Sequence, residues 1–126
     1  QESYWQQALL KTQEHGLDAA FAWLETLPEW QTGSGQVKKW VMMARLAVSA
    51  QKEDWAVKLL EQASKQMQVL TVKEWDKHFT FEVYALWYQL LSENLDNKDI
   101  EAVGQLEFLR TELMQADVVR ALELIY

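Results

Sequence analysis

The sequence predicts an all-α fold of stacked antiparallel helical hairpins, about six helices with a short one at the C-terminus. Three observations predict it. Apolar residues recur at intervals of three and four along most of the chain, the signature of amphipathic helices. Turn formers are scarce, 4 Gly and 1 Pro in 126 residues, where an all-β protein needs many. The first pair of helical segments is also echoed by the second, 36 positions further on.

The expected helices span 2–15, 17–27, 36–51, 53–70, 77–94 and 98–115, with a last turn or two at 117–125. Gly16 separates the first two, Pro28 stops the second, and Gln31-Thr32-Gly33-Ser34-Gly35 reads as a loop. The fourth carries the clearest stripe, Trp55, Ala56, Leu59, Leu60, Ala63, Met67 and Leu70. Glu53 and Asp54 open it, where carboxylates suit the positive end of the helix dipole. Thr71 and Glu74 have capping-box spacing, which predicts a short helical turn near Val72. Asp96-Asn97 is a start signal for the stripe Ile100, Val103, Leu106, Leu109 and Leu113. The third and fifth helices are apolar over much of their circumference, and only Glu82, Ala85 and Gln89 form a water-facing strip on the fifth. Such helices need cover on every side, some of which a neighbouring subunit can supply.

In the repeat, Ala8 aligns with Ala44, Leu10 with Leu46, Asp18 with Asp54, Ala20 with Ala56, Leu24 with Leu60 and Glu25 with Glu61. The paired alanines are informative, because helices approach closely only where side chains are short. A period in the mid-thirties is that of tetratricopeptide-like helix pairs, each stacked on its neighbour. The third pair, around Ala85 and Ala102, keeps the theme at a different offset.

Composition narrows the functional classes. The net charge is −7, with 19 acidic against 12 basic residues. Lys38-Lys39 is the only adjacent basic pair, so a nucleic-acid phosphate backbone finds no basic stripe. The chain has no cysteine, hence no disulfide, thiolate nucleophile or cysteine metal ligand. No apolar run reaches the roughly 20 residues of a membrane span. We expect no membrane insertion, and a cytoplasmic protein. The start Gln1-Glu2-Ser3-Tyr4 lacks Met, and the chain reads as one oligomerisation domain, 1–126, the C-terminal fragment of a longer protein.

Candidate chemistry is thin. Glu74, His78 and Glu82 stand at successive i, i+4 positions and share a helical face. A metal site needs more ligands than these, and a solvated strip of charge accounts for them. Ser34 has no strand before it, so it is not the nucleophile of a strand–turn–helix elbow. Gly33-Ser34-Gly35 is too short to cradle a phosphate. No catalytic residue, metal or cofactor is expected, and no enzymatic activity.

Tryptophan is in surplus: seven residues in 126. Trp23, Trp40, Trp55 and Trp87 fall on apolar stripes and read as core. Trp5 lies near the chain start, whereas Trp30 and Trp75 lie beside loops. Loop-proximal tryptophans are frequent anchors between proteins. Val118, Val119, Leu122, Leu124, Ile125 and Tyr126 make an apolar ending that needs a docking partner. With Trp30 and Trp75 they are the expected interface residues.

Four stretches together are similar to the C-terminal domain of TssA, a type VI secretion family that includes VasJ- and ImpA-like proteins. They are Trp40-x3-Ala44-x-Leu46-Ala47, then Asp54-Trp55-Ala56-x2-Leu59-Leu60, then Glu74-Trp75-Asp76, then Glu82-Val83-x2-Leu86-x-Tyr88. The ending Asp117-x2-Arg120-Ala121-Leu122 resembles that domain's closing motif. The likeness is clear over 36–126, and residues 1–35 share only helicity. Gln51-Lys52 stands where the family often has glycine, and Val118 where proline is common. The resemblance implies an all-helical domain that assembles into a ring, such as a dodecamer. It further implies help in recruiting the baseplate and in priming or capping growth of the tail tube and sheath. The competing expectation, from the repeat, is a monomeric adaptor that binds a peptide in a groove, with Lys38, Lys39 and Arg45 as its cationic clamps.

Overall fold

The computed structural model describes residues 2–30, 33–70, 77–93 and 100–126. Among them are seven α-helices and no strand: α1 (Glu2–His15), α2 (Leu17–Leu24), α3 (Gly33–Ser49), α4 (Glu53–Leu70), α5 (Lys77–Glu93), α6 (Ile100–Ala116) and α7 (Val118–Ile125). A 3-10 turn, Pro28–Trp30, stands between α2 and α3. The chain forms two compact units, Gln1–Leu70 and Thr71–Tyr126. The expected turn near Val72 lies outside the described residues, as do Glu74 and Trp75.

In the first unit α1 packs on α2, and α3 packs on α4. Gly16, at φ +94°, makes the corner between α1 and α2, a conformation that costs a residue with a Cβ. The repeat positions fall where short side chains are needed. Ala8, Ala44, Ala20, Ala56, Leu24, Leu46 and Leu60 are all fully buried, while Leu10 is 54% exposed and breaks the symmetry. Burying a leucine of this kind stabilises the fold by roughly 1.5–3 kcal/mol.

Two expectations are corrected here. The stretch Gly33-Ser34-Gly35 is the first turn of α3 and not part of a loop. A Cβ on Gly35 would lie 2.2 Å from the Glu29 carbonyl oxygen, so glycine lets α3 start hard against the 3-10 turn. The second correction is that α2 ends at Leu24, before Pro28.

The turn between α3 and α4 closes by a paired hydrogen-bond motif. Lys52 N–H donates to Ala47 O at 2.8 Å and Gln51 N–H to Val48 O at 3.0 Å. This is the Schellman arrangement, and it places Gln51 at φ 61°, the left-handed region that favours glycine.

In the second unit α5 packs on α6, and α6 on α7. Tyr84, Trp87 and Phe108 form an aromatic cluster, with Tyr84 and Phe108 edge-on at 6.0 Å and Trp87 and Phe108 at 6.4 Å. Leu106, Leu109 and Leu113 are the buried side of α6. On α5, Glu82 and Gln89 are exposed and Ala85 half-buried, the water-facing strip that the sequence predicts. Asp117 caps α7, its Oδ1 accepting from Arg120 N–H at 3.1 Å. Val118 therefore occupies the first helical position, where proline is favoured.

Candidate assembly surface

The tryptophans divide by neighbours, not by distance from a loop. Trp30, expected at an interface, is 3% exposed. The 3-10 turn tucks its ring inward, edge-on to Tyr4 at 5.2 Å and into a cluster with Ala8, Leu24, Met42 and Leu46. Trp30 is therefore core. Trp55, expected in the core, is 43% exposed. It sits at the edge of the α4 stripe, whose centre (Ala56, Leu60, Ala63, Met67) is buried. Trp5, Trp23 and Trp40 are half-buried against the first unit's core, and the Arg45 guanidinium lies 4.6 Å from the Trp5 ring. Trp87 is buried, with no hydrogen-bond partner for its Nε1 among the described residues.

Two of the three basic residues expected to clamp a peptide, Lys39 and Arg45, make contacts within the chain. Lys39 is 3% exposed, and its Nζ donates to the Glu25 carboxylate at 2.9 Å. Arg45 lies over Trp5. Arg45 remains exposed while it lies over that ring.

The His78 face is likewise occupied, by Arg120 of α7. Arg120 Nη2 donates to Glu82 Oε1 at 2.6 Å, Nη1 lies 3.2 Å from His78 Nδ1, and the guanidinium lies 4.2 Å from the Phe81 ring centroid. Among the described residues no group of three or more His, Asp or Glu is placed to hold a metal ion.

The C-terminal helix carries several exposed apolar side chains in one short stretch. α7 is strongly amphipathic, yet Ala121 is its one fully buried residue among the described ones. Leu124 and Ile125 are half-buried. Val118 is 51%, Val119 67%, Leu122 45% and Tyr126 92% exposed. Val118, Leu122 and Tyr126 are four apart and share one line along the helix. Tyr126 N–H donates to Leu122 O at 3.0 Å, which extends that line to the last residue. Beside it, Arg110, Met114, Gln115, Ile125 and Tyr126 wall a groove of about 430 Å³. Arg110 lies 5.8 Å from the Tyr88 ring centroid and is ion-paired with Glu107. Its pKa is raised above the ordinary arginine value, first by a hydrogen bond with Tyr88 and then by Glu107, so it stays charged.

Sequence reasoning missed Arg120 and Lys39. Arg120 was legible only as part of a closing motif, and Lys39 only as half of a basic pair and a candidate peptide clamp. Their partners, Glu82 and Glu25, stand 38 and 14 positions away.

The comparisons with known proteins agree with this architecture. The model for the family "Type VI secretion, EvfE, EvfF, ImpA, BimE, VC_A0119, VasJ" matches residues 1–87. A solved structure of the EAEC T6SS TssA C-terminus superposes with a TM-score of 0.84 at 29% identity, covering 94% of this chain and 93% of that one. No curated protein matches. No helix among the described residues is long and apolar enough to cross a membrane.

Proposed function

The chain belongs to the type VI secretion family of ImpA and VasJ, and we propose that its structural role in that apparatus is self-assembly. In this reading residues 1–126 act as one oligomerisation module. Copies associate into a closed six-fold ring, a dodecamer, in the cytoplasm. The ring recruits the baseplate and primes or caps polymerisation of the tail tube and sheath, without catalysis.

The observation that carries the reading is the fold match to the EAEC TssA C-terminus over nearly the whole of both chains. The surface of α7 supports the assembly half of it. A net charge of −7 spread over a small domain favours solubility, so an uncovered apolar helix face stands out as a contact site. The engagement of Lys39 with Glu25 and of Arg45 with Trp5 weighs against a peptide-binding groove.

Particle images of the purified chain test the closure. Averages with closed six-fold rotational symmetry are expected. Open filaments or particles of a single copy would contradict it.

A further inference from the structure

We infer that the exposed face of α7 docks a cationic amphipathic helix of a different protein. The inference rests on the reading of the chain as an assembly module and names the chemistry of a partner that the module takes. It does not depend on whether copies close into a ring.

Three observations lead to that occupant. The first is the composition of the face. Its exposed residues form two rows at four-residue spacing, Val118, Leu122 and Tyr126 in one, Val119 and Glu123 in the other. All are apolar except Glu123, and none is a cation. The second is where the nearby cations have gone. Arg120, the one cation of α7, is turned to α5 and pairs with Glu82, and Arg110 of α6 pairs with Glu107. Glu123 is exposed and is ion-paired with none of the described residues. The third is the distribution of charge along the chain. Residues 71–126 hold eleven acidic and five basic residues, net −6, whereas residues 1–70 hold eight and seven, net −1. The apolar face of α7 therefore belongs to the unit that carries nearly all of the molecule's negative charge.

An occupant of this face needs an apolar stripe for Val118, Leu122 and Tyr126, with lysine or arginine beside it for Glu123. Rows at four-residue spacing are the ridges that seat between the ridges of another helix, and an amphipathic helix offers stripe and cations at fixed spacing. Charge weighs against a second copy here. Two copies meeting at this face oppose Glu123 to Glu123 and one unit of −6 to another, and like charges across an interface suppress association. A cationic helix is attracted by the same field.

The probe is a fluorescent synthetic helix with a leucine face flanked by lysines, and its counterpart has the same leucine face flanked by glutamates. Binding is read by anisotropy, and the mass of each variant by light scattering. The lysine-flanked helix is expected to bind the parent about ten-fold more tightly than its counterpart, because only its charges complement the face. Glu123→Lys and Leu122→Gln are each expected to weaken that binding about five-fold or more. Glu14→Lys and Val69→Gln, at exposed sites of the first unit, are expected to leave it within about two-fold of the parent. All four variants are expected to keep the parent's mass and helical circular dichroism. Equal loss from Glu123→Lys and Glu14→Lys, equal affinity for the two helices, or no binding to the parent would overturn the docking surface and leave the self-assembly reading untouched. A mass that falls in Leu122→Gln would give the face to a second copy and overturn it too. A monomeric parent that binds the lysine-flanked helix as expected would remove the ring and keep the docking surface.

Discussion

The guanidinium of Arg120 lies 4.2 Å from the ring centroid of Phe81, so a side chain from α7 rests on the aromatic face of α5. The same group donates to Glu82 at 2.6 Å. The two helices are far apart in sequence, and this contact ties α7 to α5 in addition to its packing on α6. Both partners of the ion pair are partly exposed, so it contributes under about 1 kcal/mol. The cation–π contact adds about 0.5–1 kcal/mol. Arg120→Ala is therefore expected to destabilise by about 1 kcal/mol and to speed hydrogen exchange of the α7 amides selectively. Unchanged protection of α7 would show that its packing on α6 is enough to anchor it.

Gln51 holds a left-handed conformation, φ 61°, in the turn between α3 and α4. A residue with a Cβ gives up roughly 1–2 kcal/mol there, and glycine returns part of that through its freer unfolded chain. Gln51→Gly is expected to stabilise by about 0.5–1 kcal/mol, raising the melting temperature by a few degrees. A melting temperature that falls would show that the glutamine side chain contributes more than the strain.

Lys39 and Glu25 form an asymmetric pair: the lysine side chain is 4% exposed and the glutamate 53%. Removing the glutamate strands a buried ammonium, whereas replacing the lysine by an apolar chain of similar length removes the charge altogether. Glu25→Ala is thus expected to destabilise more than Lys39→Met, as read from urea midpoints. The reverse order would mean that the ammonium is well solvated through its exposed partner.

Tyr4 donates its hydroxyl proton to Glu29, tying α1 to the 3-10 turn. The hydrogen bond from Tyr4 lowers the Glu29 pKa below the ordinary carboxylate value, and the same bond raises that of Tyr4 above the ordinary tyrosine value. A depressed carboxylate pKa gives stability that is present above the unfolded value and lost as pH falls through the folded one. A raised tyrosine pKa gives stability that is present below the unfolded value and lost as pH rises through the folded one. The difference in stability between the parent and Tyr4→Phe is expected to be largest between these two ranges and to shrink at both ends. A difference independent of pH would assign the effect to packing of the Tyr4 ring on Trp23 and Trp30.

What the sequence made legible was local and periodic. The paired alanines 8/44 and 20/56 are fully buried because close helix approach needs small side chains wherever it occurs. The bounds of α4 follow from its stripe and acidic start, and Glu53–Leu70 is the helix they predict. The apolar excess of α7 was legible too, since a short helix cannot bury both of its flanks. Other features depend on contacts made at a distance. The burial of Trp30 and the exposure of Trp55 are set by which elements fold over them, and proximity to a loop carries no such information. The helical start at Gly33 was hidden because two glycines in three residues read as flexibility. At Gly35 the glycine instead serves close approach to the Glu29 carbonyl. Lys39, read as half of a surface basic pair and as a peptide clamp, is buried with its ammonium paired to Glu25, the residue that follows α2.

The central claim is that this chain assembles with itself. Its mass in solution, measured by sedimentation across micromolar concentrations, tests that most directly. A single large species whose mass is a whole multiple of 14.8 kDa is predicted, with six-fold stoichiometry. A lone boundary at one copy, unchanged by concentration, would contradict it.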